Sequence, residues 1–146
     1  SSYYGALTAY RYQADHPAEM LNWIATPHRI SDLACSNEFC YTTALAQGIY
    51  VYDPYGQKSI NLVAHLSPEK TVELAQVSQS FLFTSYLGSE NESGFYIYDI
   101  SNESTPLRIH QVSTNSPVKD FENVDSMLYV LLKNGDLQIY ATDTMN

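Results

Sequence analysis

The sequence predicts an all-β fold made of repeated four-stranded antiparallel units. Three observations predict it. Four glycine-led segments recur at spacings of 43, 46 and 41 residues. Those segments are rich in β-branched and aromatic residues, as strands require, and hold six of the chain's 13 tyrosines. Finally, no 11-residue stretch holds an i, i+3, i+4, i+7 apolar stripe, and the nearest, Pro17 to Trp23, is too short for a helix.

The elements follow in order. The glycine segments run 5–10, 48–53, 94–99 and 135–140, led by Gly5, Gly48, Gly94 and Gly135. After each of the first three come a polar turn and a short strand: Leu21–Ile24, Ile60–Leu66 and Leu107–Val112. Pro27, Pro68 and Pro117 then end those strands, because proline removes a ladder donor. A third element covers Ile30–Ala34, Thr71–Ala75 and Val118–Glu122. A fourth, strongly apolar, covers Phe39–Ala44, Phe81–Tyr86 and Leu128–Leu132. The next glycine restarts the cycle. Four strands per period match the ~40–45 residues of a β-propeller blade. The competing reading is a β-sandwich whose segments look alike by chance.

Gly-Ile-Tyr-Val-Tyr-Asp-Pro from Gly48 and Gly-Phe-Tyr-Ile-Tyr-Asp-Ile-Ser-Asn from Gly94 resemble LVIVD-type propeller repeats. Such repeats occur mainly in bacterial and archaeal extracellular or surface proteins. The segment from Gly5, followed by Leu21-Asn-Trp23, is more similar to the quinoprotein-type propeller repeat. The resemblance implies that the third strand of each unit lies innermost.

Counted from the glycine strand, a single repeat domain over 1–146 starts mid-unit: two strands, two full blades, then three strands. Propellers typically close with ~4–8 blades, so about three units leave exposed edges. The expectation is an incomplete propeller, part of a larger one, or one completed by a second copy or a neighbouring subunit. Tyr3 to Tyr12 is the candidate donor strand.

Composition restricts partners. Seven Lys+Arg stand against sixteen Asp+Glu, a net charge of −9. That leaves no basic patch for nucleic acid and disfavours an anionic membrane surface. No run of 18 apolar residues is present to insert into a membrane, and Ser1–Gly5 does not read as a signal peptide. Cys35 and Cys40 flank an expected hairpin tip, where a disulfide is feasible if their Cα atoms face each other; two plain thiols are the alternative. Asn91-Glu92-Ser93 and Asn102-Glu103-Ser104 are glycosylation sequons in expected loops. Together these point to an extracellular or cell-surface protein.

Candidate chemistry centres on a recurring carboxylate: Asp32, Glu73 and Asp120, each before a large apolar residue. On an innermost strand they would line a funnel and collect cations or a hard metal such as calcium. The alternative is that they satisfy backbone donors or bridge blades. Asp53 and Asp99 end glycine strands and read as turn-formers. His16, His28, His65 and His110 lack zinc-motif spacing. No nucleophile elbow, dinucleotide fingerprint or phosphate loop is present. No catalytic residue, cofactor site or resident metal is therefore expected. The tyrosines suit blade packing, with glycan stacking as the alternative. The leading functional expectation is a non-enzymatic extracellular structural or protein-interaction module, self-assembling through its terminal strands. The alternatives are a fragment of a quinoprotein-type propeller enzyme or redox protein, and a glycan-binding module.

Overall fold

A computed structural model describes residues 5–56 and 59–143; Tyr3 and Tyr4 of the expected donor strand lie outside them. The described residues form strands and one short 3-10 turn, Ser89–Asn91, with no α-helix. Four antiparallel sheets follow one another along the chain. The first blade holds β1 (Gly5–Arg11) and β2 (Glu19–Thr26). The second holds β3 (Asp32–Cys35), β4 (Cys40–Thr43), β5 (Ile49–Asp53) and β6 (Asn61–Leu66). The third holds β7 (Thr71–Ser78), β8 (Phe81–Leu87), β9 (Ser93–Asp99) and β10 (Leu107–Thr114). The fourth holds β11 (Val118–Val124), β12 (Met127–Leu132) and β13 (Leu137–Ala141).

Within each sheet, neighbours in space are neighbours in sequence. This is the propeller-blade meander the period predicts, and no sheet closes on itself. The strands nearest one another between blades are β3 with β7 and β7 with β11.

Turn chemistry sets the meander. Gly48 sits at φ +95°, and a side chain there would strike the Leu66 carbonyl, so β6 can lie close only against glycine. Asp53 Oδ1 accepts the Tyr55 amide at 2.9 Å, and Asp99 Oδ1 accepts the Ser101 amide at 2.7 Å. Both aspartates hold the chain two residues on, the turn role expected of them.

Strand alternation then builds the core. On β5, Ile49 and Val51 face forward along the chain of blades, while Tyr50 and Tyr52 face back. The backward tyrosines pack with Ala44 and Ile60 against Leu7, Ala9 and Ile24 of the first blade. The forward pair, with Tyr41, meets Leu82, Tyr86, Tyr96 and Tyr98 of the third blade. Phe83, Phe95 and Ile97 in turn meet Phe121, Leu128, Val130 and Tyr140 of the fourth. Phe95 stands edge-on to Phe121 and Tyr140, with ring centroids 5.7 and 5.4 Å away. Each fully buried aliphatic or aromatic side chain contributes about 1.5–3 kcal/mol. Blade-to-blade contact is therefore the main source of stability, since no blade covers both of its own faces.

Candidate functional site

The three inner-strand acids do not act alike. Asp32, on β3, accepts its neighbour's amide (Leu33, 2.8 Å) through Oδ1 and the Ala75 amide of β7 at 2.9 Å through Oδ2. It therefore bridges two blades. Ala75 lies on β7, the edge strand of its sheet, directly after the bulge that Glu73 and Leu74 form in the β7–β8 ladder. Glu73 contributes its backbone rather than its carboxylate: Thr43 Oγ1 donates to its carbonyl at 2.7 Å, and Ser31 Oγ lies 2.9 Å from the same oxygen. Asp120 repeats only the local half of the Asp32 pattern, accepting the Phe121 amide at 2.9 Å. Among the described residues no group of three or more His, Cys, Asp or Glu side chains is gathered to hold a metal ion.

A second set of contacts holds the β6–β7 connection against the third blade. Arg108 of β10 grips Glu69 in a fork, at 2.6 and 3.1 Å, and its guanidinium lies 5.0 Å from the centre of the Tyr96 ring. The hydrogen bonds from Arg108 hold the Glu69 carboxyl down at about 2. Lys70 pairs with Glu92 at 2.8 Å, and that bond raises its pKa. Beside the Arg108–Glu69 fork lies a groove of about 270 Å³, lined also by Pro68, Tyr98 and Leu107. Its polar walls, Glu69 and Arg108, already satisfy each other.

The hairpin tip between β3 and β4 forms a third latch. Cys35 and Cys40 face each other with Cα atoms 4.1 Å apart and are joined by a disulfide. Beside them, Ser36 Oγ donates to Glu103 Oε2 at 2.7 Å, and the Tyr41 hydroxyl donates to the Glu103 carbonyl at 2.9 Å. Burial, reinforced by the Glu103 charge, pushes the Tyr41 phenol well above its ordinary value. The two sequon asparagines are both exposed. Asn91 ends the 3-10 turn; Asn102 sits in the β9–β10 turn, where its side chain accepts Ser104 Oγ at 3.0 Å.

The histidines are scattered. His65 stacks on Tyr50 at 4.2 Å, and its Nε2 lies 2.6 Å from the Gln47 carbonyl. His16 and His110 are exposed, and His28 lies 5.8 Å from Tyr50, tilted. Neither the Arg108–Glu69 fork nor the Glu103 latch is signalled in the sequence. Their partners are 39 and 67 residues apart and follow no local pattern.

The remaining unusual surface lies at the two ends of the array. The first blade pairs β1 only with β2, and the fourth pairs β13 only with β12, among the described residues. Tyr10, Met20 and Trp23 are exposed at one end, and Val124, Leu137 and Ile139 at the other.

No family model matches this chain, so the LVIVD resemblance stands without a family behind it. No curated protein matches either. Solved structures give the following likenesses. The computationally designed Ika4 protein is 15% identical, with TM-score 0.46, over 80% of this chain and 93% of Ika4. The computationally designed Ika8 protein is 14% identical, with TM-score 0.48, over 85% of this chain and 49% of Ika8. BamB from Moraxella catarrhalis is 9% identical, with TM-score 0.49, over 96% of this chain and 53% of BamB. The chain thus spans about half the length of the latter two. What is shown for this chain is a propeller-like all-β fold of stacked antiparallel blades without a closed sheet.

Proposed function

We propose that this chain is a non-enzymatic structural or protein-interaction module of the extracellular or cell-surface kind, assembling through its terminal blades. One observation carries the reading: among the described residues β1 and β13 are edge strands of two- and three-stranded blades, and apolar side chains beside them are exposed. Open, apolar strand edges recruit further chains unless something blocks them. Three further observations support it. Asp32 and Glu73 are engaged in holding blades together through their side chain and backbone respectively. A disulfide suits an oxidising compartment. Both sequon asparagines are exposed.

The test is sedimentation velocity of the oxidised chain over a wide concentration range. Dimers or larger species that grow with concentration are expected. A stable monomer throughout would overturn the assembly reading.

A further inference from the structure

The repeat makes the terminal faces interpretable position by position. On β5 and β9 the forward-facing pairs are Ile49/Val51 and Phe95/Ile97, each residue at most 2% exposed. The ladders place Leu137 and Ile139 of β13 at the same two positions. Ile139 pairs with Tyr129, as Ile97 pairs with Phe83 and Val51 with Tyr41. Yet Leu137 and Ile139 are 57% and 53% exposed. The other end mirrors this. Tyr10 follows the forward-facing Leu7 and Ala9 as Tyr52 follows Ile49 and Val51, which places it on the backward face. Tyr52 is 1% exposed and Tyr10 is 60% exposed. Thr8 and Trp23, paired across the β1–β2 ladder, share that face with Tyr10 and Met20.

We infer that the forward face of the fourth blade and the backward face of the first are the two halves of one interblade interface, and that a second copy of this chain joins them. The first blade of one copy seats on the fourth blade of the next, with Tyr10, Trp23 and Met20 against Tyr129, Leu137 and Ile139. This deepens the assembly reading above and rests on it. The occupant follows from continuity. The chain makes the same forward-on-backward contact at each of the three junctions between its described blades, and among the described residues one half at either end has no counterpart. A forward half fits a backward half, not another forward half. The contact is therefore head-to-tail, and it generates a ring if the rotation closes or a filament if it does not.

The test is sedimentation of wild type, Tyr10→Asp, Ile139→Asp and an equimolar mixture of the two variants, with Leu137→Ser as a milder second probe of the forward face. Far-ultraviolet circular dichroism and melting check that each variant is folded. Wild type is expected to assemble. Each variant alone is expected to be monomeric, its association weakened at least about tenfold, as for loss of a buried interface anchor. The mixture is expected to recover a dimer, because Ile139→Asp copies keep the backward face and Tyr10→Asp copies keep the forward one. If wild type assembles but Tyr10→Asp assembles equally well, the head-to-tail contact is wrong while assembly stands. That outcome is the one an edge-to-edge pairing of two β13 strands gives; the head-to-tail contact is likewise wrong if both variants are monomeric alone and the mixture recovers no dimer. If wild type is monomeric, both readings fall.

Discussion

The Asp32 carboxylate accepts the backbone amide of Ala75, 43 residues away, at 2.9 Å. That bond joins β3 of the second blade to β7, the edge strand of the third, just after the bulge in the β7–β8 ladder. The Asp32 side chain is thus a clasp between repeats, the blade-bridging role its sequence position allows.

Removing the clasp leaves a largely buried N–H without a partner. Asp32→Ala is expected to destabilise the chain by about 1–3 kcal/mol, the usual cost of an orphaned buried donor. Asp120→Ala removes only a bond to the adjacent amide, Phe121, and is expected to cost under about 1 kcal/mol. Urea unfolding of both variants measures the difference. Equal effects would mean that the Ala75 bond contributes little.

The Arg108–Glu69 fork predicts an acid limit. Glu69 titrates at about 2 in the folded chain against an ordinary value of 4.5. A depressed carboxyl stabilises the fold above its unfolded value, and that stabilisation is lost as pH falls from 4.5 through 2. Because both partners reach solvent, the effect is modest and screened by salt. Melting curves between pH 5 and pH 2 are expected to show a steeper loss in wild type than in Glu69→Gln. Identical slopes would remove the fork from the stability of the fold.

An alkaline limit follows from the buried phenols. Burial pushes Tyr98 up to about 12 from 10.0. A phenol whose folded value is raised stabilises the fold fully below 10 and loses that contribution as pH rises from 10 toward 12. Ultraviolet titration is expected to show a late group of phenols, Tyr98 among them, that ionises only with unfolding. Simultaneous ionisation of every tyrosine in a folded chain would contradict the packing.

The Cys35–Cys40 bridge closes a short loop. Chain-entropy reasoning gives such a loop about 2 kcal/mol. A Cys35→Ser/Cys40→Ser double variant is expected to lose about that much and to keep its sheets, because the Glu103 latch holds the same tip. Loss of all β signal on reduction would show that the bridge is required for folding.

The blade count and the strand order were legible because each strand carries its own apolar alternation and each unit restarts on a glycine. Register was less so. On β5 and β9 the first forward residue directly follows Gly48 and Gly94, whereas Leu7 and Leu137 come two residues after Gly5 and Gly135. Gly48 and Gly135 both sit in the turns before their strands, their amides donating to the Leu45 and Leu132 carbonyls at 3.2 and 3.0 Å, and spacing alone does not reveal the shift. The carboxylate series was legible as a repeat but not as three different roles. Whether Asp32 or Glu73 reaches the next blade depends on a bulge and on the two hydroxyls of Ser31 and Thr43, not on the acid itself. The exposed end faces could be located from strand order, but their equivalence to buried positions needs the paired registers.

Amide hydrogen exchange, read strand by strand at low and high protein concentration, tests the central claim most directly. The account predicts that β1 and β13 exchange fast when the chain is dilute and approach the protection of β5 and β9 when it is concentrated. Unchanged, rapid exchange of β1 and β13 at every concentration, beside protected β5 and β9, would contradict it.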